Sequence, residues 1–145
     1  MKKIIVSACL AGIDCRYDGK NNNNEKVKEL IKLGYDIVFV CPEQLGGLAT
    51  PRTPAEIIKN KVMDKKGKDV TYNFQKGANE TLKIAELFNI KLAILKEKSP
   101  SCGSGMVYDG SFTDKVIKGE GVTTTLLRKN GIEVISENDL KFKIV

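Results

Sequence analysis

Three times along this chain an amphipathic stretch with helical spacing gives way at once to a short apolar run. Residues 25–33 carry Val27, Leu30 and Ile31 on one face, stop at Gly34, and precede an apolar run over 37–40. Residues 71–89 place Phe74, Ala78, Leu82, Ala85 and Phe88 near the same spacing and precede 91–95. Residues 123–129 end at Asn130-Gly131 before 132–135. With Ile4-Ile5-Val6 as a first strand, the order is β-α-β, an insert, α-β, a loop, α-β. Strands joined through helices run in one direction, so this alternation predicts a mostly parallel sheet with right-handed crossovers. The expected fold is one α/β domain over residues 1–145, Rossmann-like and three-layered. Helices cover both faces of the sheet, and long loops lie at the carboxyl ends of the strands. Asn24 and Thr71 are the expected helix caps.

Composition narrows the function classes. The 41% hydrophobic content supports a single core in 145 residues, and no apolar run approaches the roughly 20 residues that span a bilayer. The basic start Met1-Lys2-Lys3 leads into an apolar run that breaks at Cys9 and Gly12. It reads as a strand, not a signal peptide, and the expected location is the cytoplasm. The net charge of +6 comes from scattered lysines. The tightest groups, Lys59-Asn60-Lys61 and Lys65-Lys66-Gly67-Lys68, have no interleaved aromatics and read as solvated surface. Neither a membrane nor a nucleic-acid partner is expected. There is no histidine, which removes Ser-His and Cys-His chemistry and leaves Glu, Asp, Lys, Tyr or thiol for proton transfer.

Three of the four cysteines follow expected strands. Cys9 comes just after the first, Cys41 opens Cys41-Pro42-Glu43 after the second, and Cys102 lies in Ser99-Pro100-Ser101-Cys102-Gly103 after the third. A single cysteine there would read as a small core hydrophobe. Three aimed at the sheet edge where α/β proteins bind ligands argue for a site built on sulfur. The spacing forms no CxxC pair, and thiolates suit zinc, Cu(I) or an iron–sulfur cluster alike. Four thiols would close a zinc site; three would hold a cubane cluster and leave one iron open. Cys15 sits mid-loop, either as a thiolate favoured by Arg16 or as an incidental loop residue. Glu43 is a candidate acid/base. Ser99 and Ser101 are candidate positioning hydroxyls. Arg52 and Asp18 are candidate substrate-binding groups, Arg52 for an anionic or carbonyl group. Two long segments, 42–70 and 99–121, begin at these residues and read as functional loops.

Taken together, Ser7-Ala8-Cys9-Leu10-Ala11-Gly12, Arg16-Tyr17-Asp18-Gly19, Cys41-Pro42-Glu43, Gly47-Leu48-Ala49-Thr50-Pro51-Arg52 and Ser99-Pro100-Ser101-Cys102-Gly103 resemble the bacterial domain-of-unknown-function family 523. Tyr108-Asp109-Gly110-Ser111-Phe112 and Gly119-Glu120-Gly121-Val122-Thr123 fit it as well. That family includes thiouracil desulfurases. The resemblance implies a [4Fe–4S] cluster held by Cys9, Cys41 and Cys102, whose open iron takes sulfur from a thiolated pyrimidine without net redox. Cys15 falls at a position that is often apolar in the family and stays outside the ligand set. Glu43 would handle a proton, and Ser101, favoured over Ser99 because it adjoins Cys102, would position substrate or water. The implied partner is a small thiolated base. The competing readings are a non-catalytic zinc or cluster module, a thiol enzyme carrying a persulfide, and a protein acting on thiolated bases in tRNA.

Overall fold

The computed structural model describes residues 2–140. Its centre is a four-stranded sheet of β1 (Lys3–Ser7), β2 (Asp36–Val40), β5 (Leu92–Leu95) and β8 (Glu133–Ser136), in the order β2-β1-β5-β8. Every pairing is parallel. Successive residues of a strand point to opposite faces, so each strand feeds two cores. Ile4, Val6, Ile94 and Ile135 face Val27 and Leu30 of α1 (Glu25–Lys32). Ile5, Ala93, Leu95 and Val134 face Ala85 of α3 (Thr71–Leu87) and Leu127 of α4 (Val122–Lys129). The result is the three-layer α/β arrangement that the alternation implied. Among the described residues no helix is long and apolar enough to cross a membrane.

The Asn24 cap forms as expected, its side chain accepting from the N–H of Lys26. Thr71 does something else. Its hydroxyl accepts from the N–H of Val62, and the Asp69 carboxylate accepts from Thr71 N instead. Thr71 therefore ties α3 to the segment before it and does not cap the helix. The two long segments are also more ordered than loops. The first contains the short helix α2 (Pro42–Leu45) and an antiparallel hairpin of β3 (Ala55–Ile58) and β4 (Lys61–Asp64). The second contains a hairpin of β6 (Met106–Tyr108) and β7 (Val116–Lys118). The β3–β4 turn places Lys59 at φ 55°, a conformation usually marked by Gly or Asn, so the turn carries no sequence signal.

A close backbone approach seats α2. A Cβ on Gly46 would lie 1.9 Å from the carbonyl oxygen of Asn73, and one on Gly77 would lie 1.9 Å from that of Pro42. Glycine at both positions lets α2 press directly onto α3, which fixes where Cys41 and Glu43 stand at the sheet edge.

Candidate active site

Parallel pairing brings the carboxyl ends of β1, β2 and β5 side by side. Ser7 lies opposite Val40, and Val6 lies opposite Phe39 on one side and Ile94 on the other. The chain leaves each end in a loop that carries a thiol. Cys9 sits in a 3-10 turn over Ala8–Ala11, Cys41 immediately precedes α2, and Cys102 lies in the loop after β5. These three and Cys15 line one cavity of about 330 Å³, together with Glu43, Arg52 and Ser99. All four cysteines are free thiols.

The thiols act on one another. Hydrogen bonding with Cys15 lowers the pKa of Cys9, against the opposing effect of burial, and Asn22 Nδ2 donates to Cys9 Sγ at 3.3 Å. Hydrogen bonding with Cys15 also lowers Cys41, to about 6, with Arg52 contributing. Cys15 takes the opposite shift: its thiol is held protonated by Cys41 and Cys9 and by burial. Cys102 is pushed up to about 12, chiefly by burial.

Glu43 projects from α2 with its side chain only 17% exposed. Burial raises its pKa, and the Arg52 guanidinium, 2.9 Å away, only partly offsets this. Arg52 is heavily engaged. Nε donates to Glu43 Oε1, Nη1 to Thr50 Oγ1 and Ala49 O, and Nη2 to Cys15 O at 2.8 Å. It braces the acid and the Cys15 loop, with one of its five N–H groups left over among the described residues.

The two candidate serines part company. Ser99 is on the cavity wall, and its Oγ accepts from the N–H groups of Ser101 and Cys102 at 3.1 and 3.0 Å. Ser101 is buried, and its hydroxyl pairs with Thr123 Oγ1 at 2.9 Å, under α4 and off the cavity. Asp18 is also off the cavity, paired with Arg16 at 3.1 Å and accepting from Lys20 N. Asn22 and Lys96, by contrast, line the cavity although neither stands out in the sequence. Lys96 is held by Glu137 at 3.0 Å and by the carbonyl of Glu97. Its place directly after β5 is the signal that could have found it, by the same strand-end logic that singles out Cys41. Asn22 is hidden in a run of four asparagines.

Comparisons with known proteins place the chain by sequence and fold. A family model for 2-thiouracil desulfurase matches residues 4–139. The uncharacterized protein YbbK of Bacillus subtilis (strain 168) is 47% identical over 147 residues, which cover 94% of this chain and 97% of that protein. The solved structure of the [4Fe-4S]-dependent thiouracil desulfidase TudS is similar with a TM-score of 0.92 and 45% identity, over 98% of this chain and 95% of that one. On sequence and fold, the chain belongs to the 2-thiouracil desulfurase family.

Proposed function

We propose that this protein is an enzyme that removes sulfur from a thiolated pyrimidine of the thiouracil type, using a [4Fe–4S] cluster held by Cys9, Cys41 and Cys102. The observation that carries the reading is the convergence of thiols from three adjacent strand ends on one cavity that also holds Glu43 and Ser99. The likeness to TudS, itself [4Fe-4S]-dependent, supports the cofactor.

The donor set fits such a group. Two of the three thiols are lowered toward the thiolate form that binds iron, and Asn22 supplies an N–H···S contact of the kind that supports cluster ligands. The cluster would supply a Lewis-acidic iron toward the thiocarbonyl sulfur.

The chain's own residues do the rest. Glu43 keeps its proton to a higher pH than an exposed carboxyl and exchanges it with water in the cavity. Arg52 fixes one of its oxygens, Oε1, and leaves Oε2 for that exchange. Ser99 already accepts from two backbone N–H groups, so its own O–H is the part left to donate to a substrate. This geometry favours Ser99 over Ser101 as the positioning hydroxyl.

Anaerobic reconstitution with iron and sulfide tests the reading. Cys9→Ser, Cys41→Ser and Cys102→Ser are expected to lose the cluster absorbance and Cys15→Ser to retain it. Wild type is expected to convert thiouracil to uracil. Glu43→Gln and Ser99→Ala should lose turnover by about 100-fold with the cluster intact, while Ser101→Ala stays within a few-fold of wild type. A cluster retained in any of the first three variants would sink the ligand set. Dependence on one cysteine alone would indicate a persulfide-carrying thiol enzyme instead.

A further inference from the structure

We propose that Glu56 reads the substrate ring by accepting one of its N–H groups, with Phe112 held beside it as a wall for the ring face. This rests on the reading of the cavity as a thiouracil site. Glu56 lies in β3, is only 8% exposed, and stands on the cavity wall. Its Oε1 accepts from the N–H groups of Gly110 and Phe112, at 2.9 and 3.2 Å. Its Oε2 takes no hydrogen bond from any described residue, yet it is not sealed away from solvent. Among the described residues no lysine or arginine pairs with it.

A structural clamp on these two backbone N–H groups does not require a carboxylate. Gln would accept the same two backbone N–H groups through its amide oxygen. What the carboxylate adds is a second acceptor oxygen, reached by solvent and without a donor among the described residues, on a side chain that lines the cavity. A thiouracil ring brings the missing donor, because its nitrogens carry N–H groups next to the thiocarbonyl carbon. Ser99 O–H on one side and Glu56 Oε2 on the other would together read an acceptor-plus-donor pattern.

The same carboxylate also places an aromatic wall. Phe112 lines the cavity with φ 58°, a backbone conformation bulky residues rarely adopt. The bond from Phe112 N to Glu56 Oε1 holds that turn. Such rare conformations persist where the surroundings enforce them and often mark working sites. Tyr108, at the end of β6, also lines the cavity, giving a flat heterocycle aromatic surface to lie against.

The test compares thiouracil with its two singly N-methylated forms on the reconstituted enzyme, and uracil with its N-methyl forms in equilibrium binding. Wild type is expected to lose about 100-fold or more in kcat/KM for one of the methylated rings, because that ring leaves Oε2 unpaired. Its uracil counterpart should bind about 10-fold or more weakly. Glu56→Gln presents an amide N–H to the cavity in place of the free oxygen, and is expected to lose most of this discrimination with cluster absorbance unchanged. Phe112→Leu should raise KM several-fold while kcat stays near wild type, and Phe112→Tyr should restore it. Should Glu56→Gln fail to fold, the methylation series on wild type together with the Phe112 variants decides. Turnover indifferent to methylation at both nitrogens, or unchanged discrimination in a folded Glu56→Gln, overturns the proposal. Absence of any thiouracil turnover by the loaded wild type overturns the parent reading instead.

Discussion

Glu97 organises the loop that carries Ser99 and Cys102. Its Oε1 accepts from the N–H groups of Ser104, Gly105, Met106 and Lys98, and its Oε2 from the Ser104 hydroxyl. Burial would raise its pKa, but these backbone donors outweigh it and hold the carboxyl below its ordinary value of 4.5. A lowered folded pKa means the charged form is the one folding favours. Its contribution to stability is therefore present above pH 4.5 and is lost as pH falls through the lowered value. Glu97→Gln is expected to cost about 1–2 kcal/mol at pH 7. The gap from wild type should narrow as pH is taken below 4.5, which denaturant titrations at several pH values would check. The cysteines stood out in the sequence because thiols are scarce and chemically distinct. Glu97 did not, because its role is set by which backbone N–H groups fold around it. The same holds for Ser99 against Ser101: adjacency to Cys102 pointed one way, and the direction of each hydroxyl in the folded loop points the other.

At the scale of elements, the contact of α2 with α3 positions two site residues through two glycines. Gly77 sits in the middle of α3, where Ala would favour the helix by about 1 kcal/mol. Gly77→Ala is nonetheless expected to destabilise by about 1–3 kcal/mol, since its Cβ would meet the Pro42 carbonyl at 1.9 Å and force α2 away. Cys41 and Glu43 would move with α2. Iron content after reconstitution should fall along with the thermal midpoint. An Ala variant more stable than wild type and fully loaded would refute the account of this contact. The main-sheet strands and the long helices were legible because their apolar spacing is dictated by the cores they enter. The two hairpins were not. Their strands are three or four residues long, and the β3–β4 turn uses Lys59 and Asn60 with no glycine.

Across the whole molecule, the site belongs to no single element: its thiols come from the ends of β1, β2 and β5, and Glu43 from α2. A group bound by all of them is bound only by the folded chain, so its binding free energy adds to folding stability. Cluster loading is expected to raise the thermal midpoint by several degrees, and Cys41→Ser, at a half-buried thiol, to abolish most of that rise while shifting the cluster-free midpoint little. Anaerobic melts of loaded and cluster-free protein would check this. Equal midpoints in the loaded and cluster-free wild type would contradict a cluster bridging these strands.

By itself the sequence determined the α/β class, the strand ends that bear the thiols, and the family. Those depend on local periodicity and on rare residues whose spacing survives in one dimension. Only the tertiary structure decided that Cys15 joins the other three thiols at one cavity and that Ser99, not Ser101, faces it. It likewise decided that Arg52 braces Glu43 and that Glu56 lines the cavity with only one of its oxygens bonded by described residues. Each of these depends on the direction of a side chain or backbone group across chain separations that spacing does not encode. Hydrogen-bond geometry and burial set that direction once the sheet has brought the loops together.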